Sequence, residues 1–379
     1  MNILNVNDLL DPVSGGGTAE RTMQISRALN ESGLECTILS WNKGLDEAFV
    51  SGLSDIRLVS CRSLFNRYFI PLVSYKSIKL EVSKADIIHL MGHWSLLNML
   101  VYMAAMSLSK PYVVCPAGAL PIFGRSRIIK KIYNWLIGKK IIHNASAWIA
   151  ITEEEKSQFT PYGINCDKIT VIPNGINPSD FPDKGAEQFR KKHGLAKKKF
   201  ILFLGRLNLI KGPDILLDAF CRVQADWSEW HLVFAGPDGG LLDSLVKKAD
   251  TKGLQDRVHF IGYVGGDEKS AAYHAADLLV IPSRQEAMSI VVLEAGISAT
   301  PVLMTDQCGF EQVDKIGGGK ICPATVDGIF NGLHDIIGGS ECLIGMGKKL
   351  EIHISQNFTW QIVIRRYIEL YSSLLQSSQ

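Results

Sequence analysis

Short apolar runs and amphipathic stretches alternate along the 379 residues of the chain. The runs Ile3–Val6, Glu35–Ser40, Asp86–Leu90, Tyr112–Cys115, Ala147–Ile151 and Ile169–Ile172 read as six strands. They are continuous rather than alternating, the pattern of parallel strands covered on both faces. A helical stretch at Thr18–Asn30 separates the first two, so the first half reads as a doubly wound α/β domain. Between Pro173 and Lys199 lie three prolines and then a charged run, the composition of a linker with one short helix. The alternation restarts with strands at Phe200–Leu204, His231–Ala235, Val258–Ile261 and Leu278–Ile281. Helices are expected at Pro213–Gln224, Leu241–Lys252, Glu268–Ala276 and near Ile290–Ala299, with a last α/β turn at Val302–Met304. The tail from Trp360 forms one amphipathic helix, with Ile362, Tyr367, Leu370 and Leu374 near helical spacing. At roughly 150 residues per domain the length fits two domains. Two open α/β domains joined by a linker are expected to leave a cleft at the carboxyl ends of their strands, where this architecture places ligands.

Composition narrows the class. A formal net charge of +2 gives no global attraction to nucleic acid. Eight cysteines without a CxxC pair fit neither a zinc framework nor a disulfide scaffold; they read as small buried residues in a reducing cytosol. The opening MNILNVNDLLDP lacks a basic start and reads as a first strand, not a signal peptide. The longest apolar stretch, around Leu96–Leu108, is too short to span a bilayer. A cytoplasmic protein is expected.

Three clusters could carry chemistry. Gly15-Gly16-Gly17 lies between the first strand and a helix expected to open at Thr18. It is either a plain flexible turn or a loop that lets an anion approach backbone N–H groups. In GRLNLIKGPD, Arg206 follows a strand and Lys211 precedes a helix starting at Pro213. Two cations five residues apart at a sheet's carboxyl edge can converge on one diphosphate, or simply be solvated. In PSRQEAMSIVVLEAG, Glu286 lies in a loop after a strand and Glu294 inside the following helix. Backbone N–H groups near Ser289 and Ile290 would then form an anion site between two carboxylates able to accept sugar hydroxyls. Glu294, among Val291, Val292, Leu293 and Ala295, would be costly to bury without partners, and a ribose diol could supply them. The alternative is an exposed helix glutamate.

Taken in order, these strings resemble the retaining glycosyltransferases of family 4, group 1. The GRLNLIKGPDILLDAF segment is similar to the family's strand–Arg–Lys-Gly segment, VIPNGIN at 171–177 to its interdomain strand exit, and EAMSIVVLE to its E-x7-E motif. The Gly15–Gly17 loop sits where the family has its N-terminal glycine loop, and FTWQIVIRRYIELYSSLL is similar to its last helix. The resemblance implies the GT-B fold, with two Rossmann-like domains and a last helix crossing back to the first. Residues 1–175 with 358–379 would form the acceptor-side domain and 190–357 the nucleotide-sugar domain. It implies that Arg206 and Lys211 bind the diphosphate of a UDP- or GDP-sugar and stabilise the leaving group. Glu286, and the pocket around Met288, would meet the transferred sugar, Ser289 and Ile290 the phosphates, Glu294 the ribose, and Gly16 the diphosphate from the other domain. Transfer would retain the anomeric configuration and need no cofactor or bound metal.

The chain departs from the pattern where many relatives have His-Gly after the fourth strand. CPAGAL places Ala117 at the position of a histidine that lies near the reacting sugar. His93, in DIIHLMGHW, is either a lining residue of the acceptor pocket or a structural histidine. Met288 and Ser289 replace a common Phe-Gly, which bears on the shape of the sugar pocket. The stretch from Phe123 to Ile142 mixes Arg125, Arg127, Lys130, Lys131, Lys139 and Lys140 with Ile128, Ile129, Ile132, Tyr133, Trp135 and Leu136. It is either a core-facing helix with a basic edge or a basic amphipathic surface for an anionic membrane. The second reading suits a polyprenyl-linked or other glycan acceptor in surface polysaccharide, O-antigen or lipopolysaccharide synthesis, at the inner face of the cytoplasmic membrane. Competing readings are a sugar-nucleotide epimerase, a phosphorylase on the same fold, and a nucleotide-sugar-binding protein without transfer activity.

Overall fold

The structure, a computed structural model, describes the chain except residues 54, 65–69, 123–125, 224–226, 340, 341, 378 and 379. Its contacts separate into two compact units. Met1–Gly175 with Trp360–Gln379 form the first, and Ile176–Thr359 the second.

The first unit holds a seven-stranded sheet. In chain order its strands are β1 (Asn2–Val6), β2 (Glu35–Trp41), β3 (Arg57–Cys61), β6 (Ile87–Met91), β7 (Tyr112–Cys115), β8 (Ala147–Ala150) and β9 (Ile169–Val171). A small antiparallel hairpin of β4 (Ser63–Leu64) and β5 (Ile70–Pro71) follows β3. Every pair in the large sheet is parallel, in the order β3-β2-β1-β6-β7-β8-β9. The chain therefore reverses direction across the sheet between β1 and β6, the switch point at which such sheets open a crevice.

The second unit repeats the plan with six parallel strands: β10 (Lys199–Leu204), β11 (Trp230–Ala235), β12 (Val258–Gly262), β13 (Leu278–Ile281), β14 (Val302–Thr305) and β15 (Gly319–Cys322). Their order, β12-β11-β10-β13-β14-β15, puts the reversal between β10 and β13. Central strands such as β6, β11 and β13 are buried along their whole length, as continuous apolar runs demand.

Two edge strands, β3 and β15, escape the apolar pattern. RLVSC and GKIC are short and only partly buried, because an edge strand has a neighbour on one side alone. The second unit also takes in the expected linker. Its Ala186–Lys192 helix buries Phe189, and Arg190 donates to the carbonyl of Ala275 and bonds Asp277 at 3.2 Å. The expected helix at Pro213–Gln224 runs Pro213–Val223, and Gln224 lies outside the described residues.

The last helix, Trp360–Ser377, belongs to the first unit. Its fully buried Tyr367 accepts a hydrogen bond from Arg21 at 2.6 Å, and the Tyr371 hydroxyl lies 2.8 Å from His89 Nδ1. Burying an arginine is tolerable only with such partners; Arg21 also contacts Cys115 Sγ at 2.8 Å. No helix among the described residues is long and apolar enough to cross a membrane.

Candidate functional site

The carboxyl edge of the second sheet gathers most of the candidate residues. After β10 the chain turns at Gly205 and reaches half-buried Arg206. A side chain at Gly239 would collide with Arg206 Cγ, so glycine there leaves room for the arginine stem. Asn208 Oδ1 accepts the Lys211 N–H at 2.9 Å and shapes the turn. Gly212 then adopts φ 70°, and a Cβ on it would stand 2.1 Å from the Pro282 carbonyl oxygen. Glycine after Lys211 thus lets the β10 loop press against the β13 loop.

Arg284 fastens the two loops. Its guanidinium forks onto both oxygens of Asp214 at 2.8 and 2.6 Å, and it also donates to the Leu209 carbonyl at 2.6 Å. Such bidentate pairs fix geometry as well as charge. Burial alone would raise the Asp214 carboxyl, but the bonds from Arg284 prevail and hold it below its usual range. With the loops joined, Lys211 Nζ lies 3.0 Å from Glu286 Oε1. The Ser283 hydroxyl donates to that same oxygen. Residues 75 apart in sequence are thereby brought into one ion pair.

The helix after Glu286 runs Ile290–Ile297 and opens at Ser289. The Ser289 amide donates to the Cys308 carbonyl at 2.9 Å, so it is committed within the protein. The N–H groups of a helix's first turn have no intrahelical acceptor, and here they begin at Ile290. The Ser289 hydroxyl is buried without a partner, and Met288 is buried beside it.

Glu294 is buried rather than exposed on its helix, and it has partners within the protein. Lys269 Nζ lies 2.7 Å from Oε1, and the Tyr273 hydroxyl donates to Oε2 at 2.6 Å. Both residues sit on the Gly266–Ala275 helix, four apart and hence on one face. Sequence reasoning passed over Lys269, Tyr273, Ser283, Asn208 and the Arg284–Asp214 fork. The one available signal was the Lys-x3-Tyr spacing on an expected helix.

The first unit's carboxyl edge is of a different kind. Helical structure begins at Pro12, earlier than the expected Thr18, and is interrupted at Gly16 with φ 57° and ψ −145°. Gly15 is tightly packed, since a Cβ there would lie 2.7 Å from the Leu9 carbonyl oxygen, whereas nothing stands within 4 Å of one on Gly16. Asp8, after β1, accepts from Ser95 Oγ at 2.5 Å and Trp41 Nε1 at 3.1 Å. Burial pushes its carboxyl up to about 6, against those two hydrogen bonds.

His93 is buried. Its Nε2 lies 3.0 Å from Asn134 Oδ1, and Trp94, Tyr133 and Tyr162 surround the ring edge-on. Burial lowers it to about 4, so it is neutral at physiological pH. Ala117 adopts φ 49°, a left-handed conformation rare for a residue with a Cβ. Next to it the Gly118 N–H donates to buried Glu155, which also takes the Ile151 N–H at 2.7 Å.

The basic and apolar stretch is not one regular helix. Arg127–Tyr133 is α-helical, Asn134–Gly138 a π turn, and Lys139–His143 α-helical again. Phe123 and Arg125 lie outside the described residues. Ile128 and Trp135 are 75% and 78% exposed, and Ile129, Ile132 and Leu136 are exposed with them. Tyr133 and Ile137 pack against the first unit's core, so the stretch has one face on the core and one face outward.

Residues 185–329, which contain Arg206, Lys211, Glu286 and Glu294, match the family described as Glycosyl transferases group 1; residues 15–180 match Glycosyltransferase Family 4. Over 220 residues the chain is 30% identical to an uncharacterized glycosyltransferase of Methanocaldococcus jannaschii, covering 55% of each protein. Over 248 residues it is 30% identical to the D-inositol 3-phosphate glycosyltransferase of Nocardia farcinica, covering 62% of this chain and 54% of that one. The chain thus spans about half the length of the curated relatives it matches. Among solved structures, Anabaena HepE in complex with UDP and glucose superposes with a TM-score of 0.80 at 19% identity, over 98% of this chain and 100% of that one. This likeness is one of fold, and the fold is GT-B.

Proposed function

The chain belongs to the group 1, family 4 glycosyltransferases, and from that premise we propose that it moves a sugar from a nucleotide-diphosphate sugar to a glycan or lipid-linked acceptor. The observation that carries the reading is the Lys211–Glu286 pair beside the start of the Ile290–Ile297 helix, inside the matched segment. A diphosphate fits there because it meets cations and unpaired N–H groups together.

In this reading Arg206 and Lys211 hold the diphosphate. As the bond from sugar C1 to the diphosphate oxygen breaks, its electron pair leaves with the diphosphate. The two cations neutralise the growing charge, the role a metal plays in other transferases. Ile290 contributes backbone N–H contact, Glu286 meets the sugar and Met288 walls its pocket. Glu294 accepts the ribose hydroxyls. The acceptor hydroxyl oxygen bonds to C1 on the face the diphosphate leaves and its proton passes to the departing diphosphate oxygen, so the step balances and configuration is retained. UDP as the donor nucleotide is supported by the UDP and glucose held by HepE.

A thermal-shift screen of UDP, GDP and their sugars tests the donor. A ligand that binds only the folded state at 100 times its Kd adds about 2.7 kcal/mol of stability. Absence of a shift with every nucleotide would remove the reading. Transfer in the presence of EDTA is expected, and its loss would point to a metal-dependent reaction.

The same reading extends to a membrane-borne acceptor in surface polysaccharide or lipopolysaccharide assembly. Its support is the exposed face of Ile128, Ile129, Ile132, Trp135 and Leu136 set among Arg127, Lys130, Lys131, Lys139 and Lys140. Apolar side chains enter the interface while cations meet anionic headgroups. Co-sedimentation with phosphatidylglycerol vesicles is expected, and binding that survives neutralising these cations would count against it.

A further inference from the structure

Glu294 stands in the apolar helix IVVLEAGI, where an ionised carboxylate is expensive unless each oxygen is bonded. The structure gives each oxygen one donor. Lys269 serves Oε1 at 2.7 Å and Tyr273 serves Oε2 at 2.6 Å. Neither donor is free to wander. Tyr273 is completely buried, and its ring lies 6.1 Å from that of Phe181. Lys269 Nζ stands 5.2 Å above the Phe181 ring. Burial and the neighbouring carboxylate drive the Tyr273 phenol well above its ordinary range, which keeps it a donor.

A carboxylate offers about four lone-pair sites. Two are used, one on each oxygen, and one on each remains. Two acceptors side by side, with the rotamer fixed from behind, suit a ligand that presents two adjacent hydroxyls. A carboxylate able to rotate would meet one hydroxyl as readily as two and would discriminate poorly.

We propose that Lys269 and Tyr273 are positioning residues that lock Glu294 as a paired acceptor for a vicinal diol, and so make the donor site select ribonucleotides over 2′-deoxyribonucleotides. The inference rests on the donor reading above, and reaches beyond it to two residues and a selectivity. A site built around a substrate hydroxyl rejects the analogue lacking it because its own buried polar atom is left unpaired.

The test is isothermal titration of the full chain with UDP and 2′-deoxy-UDP, or with GDP and 2′-deoxy-GDP if guanosine is the nucleotide that binds. The wild-type ratio of Kd values is expected to be about 10–100, as for a lost hydrogen bond to a charged group. Tyr273→Phe and Lys269→Gln should each weaken ribonucleotide binding and shrink that ratio to about 3 or less, by the same reasoning. A merely structural role would weaken both nucleotides alike and leave the ratio unchanged. Lys269 is partly exposed, so Lys269→Gln provides a folded variant if Tyr273→Phe does not fold. An unchanged ratio in a folded variant overturns the proposal, as does a wild type that does not distinguish the sugars. If neither UDP nor GDP binds the wild type, the donor reading itself fails.

Discussion

The carboxyl edges of the two sheets make an informative pair. Both lie at a reversal of strand order, β1 to β6 in one unit and β10 to β13 in the other. In the second unit the loops there bring opposite charges together, Lys211 with Glu286 and Arg284 with Asp214, and Lys269 with Glu294 on the neighbouring helices. In the first unit polar groups at the same place are partly or wholly desolvated, which works against their charged forms. His93 falls to about 4 and Asp8 rises to about 6. One backbone plan therefore supports an edge of paired charges and an edge whose titratable groups are held by uncharged hydrogen-bonding partners. The difference resides in the loops, which the fold leaves free to vary.

The largest expected effect breaks the comparison at its charged side. Arg206→Ala and Lys211→Ala should each lower turnover by about a hundredfold or more, as loss of a transition-state charge partner does. Steady-state rates with the donor found by the shift screen check this. Near-normal rates in both variants would remove the functional contrast between the edges.

Asp8 probes the first unit's edge. Its folded pKa is raised from 3.8 to about 6, so the folded state binds the proton more tightly than the unfolded one. Stability from this group is complete below about pH 4 and is lost as pH rises through 6. Asp8→Asn keeps an acceptor for Ser95 and Trp41 and removes the charge. It should stabilise the protein by about 1–3 kcal/mol at pH 7.5, with the gain vanishing near pH 4. Urea unfolding at the two pH values reads the difference.

His93 has the opposite sign. Its folded pKa is lowered from 6.5 to about 4, so its contribution is present above 6.5 and is lost as pH falls through 4. His93→Asn should flatten the acid limb of the stability profile by up to about 1.4 kcal/mol per pH unit in that window. Thermal midpoints across pH 4 to 7 follow it.

The smallest effect on stability is expected at the exposed patch. Ile128→Asp with Trp135→Asp should change it by about 0.5 kcal/mol or less, because neither side chain is packed. The same pair should lose vesicle binding, which separates a surface role from a folding one.

Much of this was legible in the chain. Continuous apolar runs announced the central strands, because burial on both faces leaves no place for alternation. They could not announce β3 or β15, whose exposed and half-buried positions admit Arg57 and Lys320. Arg206, Lys211, Glu286 and Glu294 were found because each stands beside a recognisable strand end or helix. The protein partners of Glu294 were not legible. Its neutralising partners arrive from a helix 25 and 21 positions upstream, and no local spacing couples them to it. The partner of the Ser289 amide was not legible for a similar reason, since the Cys308 carbonyl that accepts its hydrogen bond lies beyond the next strand.

The sequence by itself determined the alternation of elements, the parallel character of both sheets and the family. Those follow from local hydrophobic pattern and from motifs read in order. Only the tertiary structure decided which side chains meet. The Lys211–Glu286 and Lys269–Glu294 pairs, the burial of His93 and the outward face of Ile128 and Trp135 depend on how loops and helices pack. Desolvation and pairing are properties of that packing, and they set what each titratable group can do.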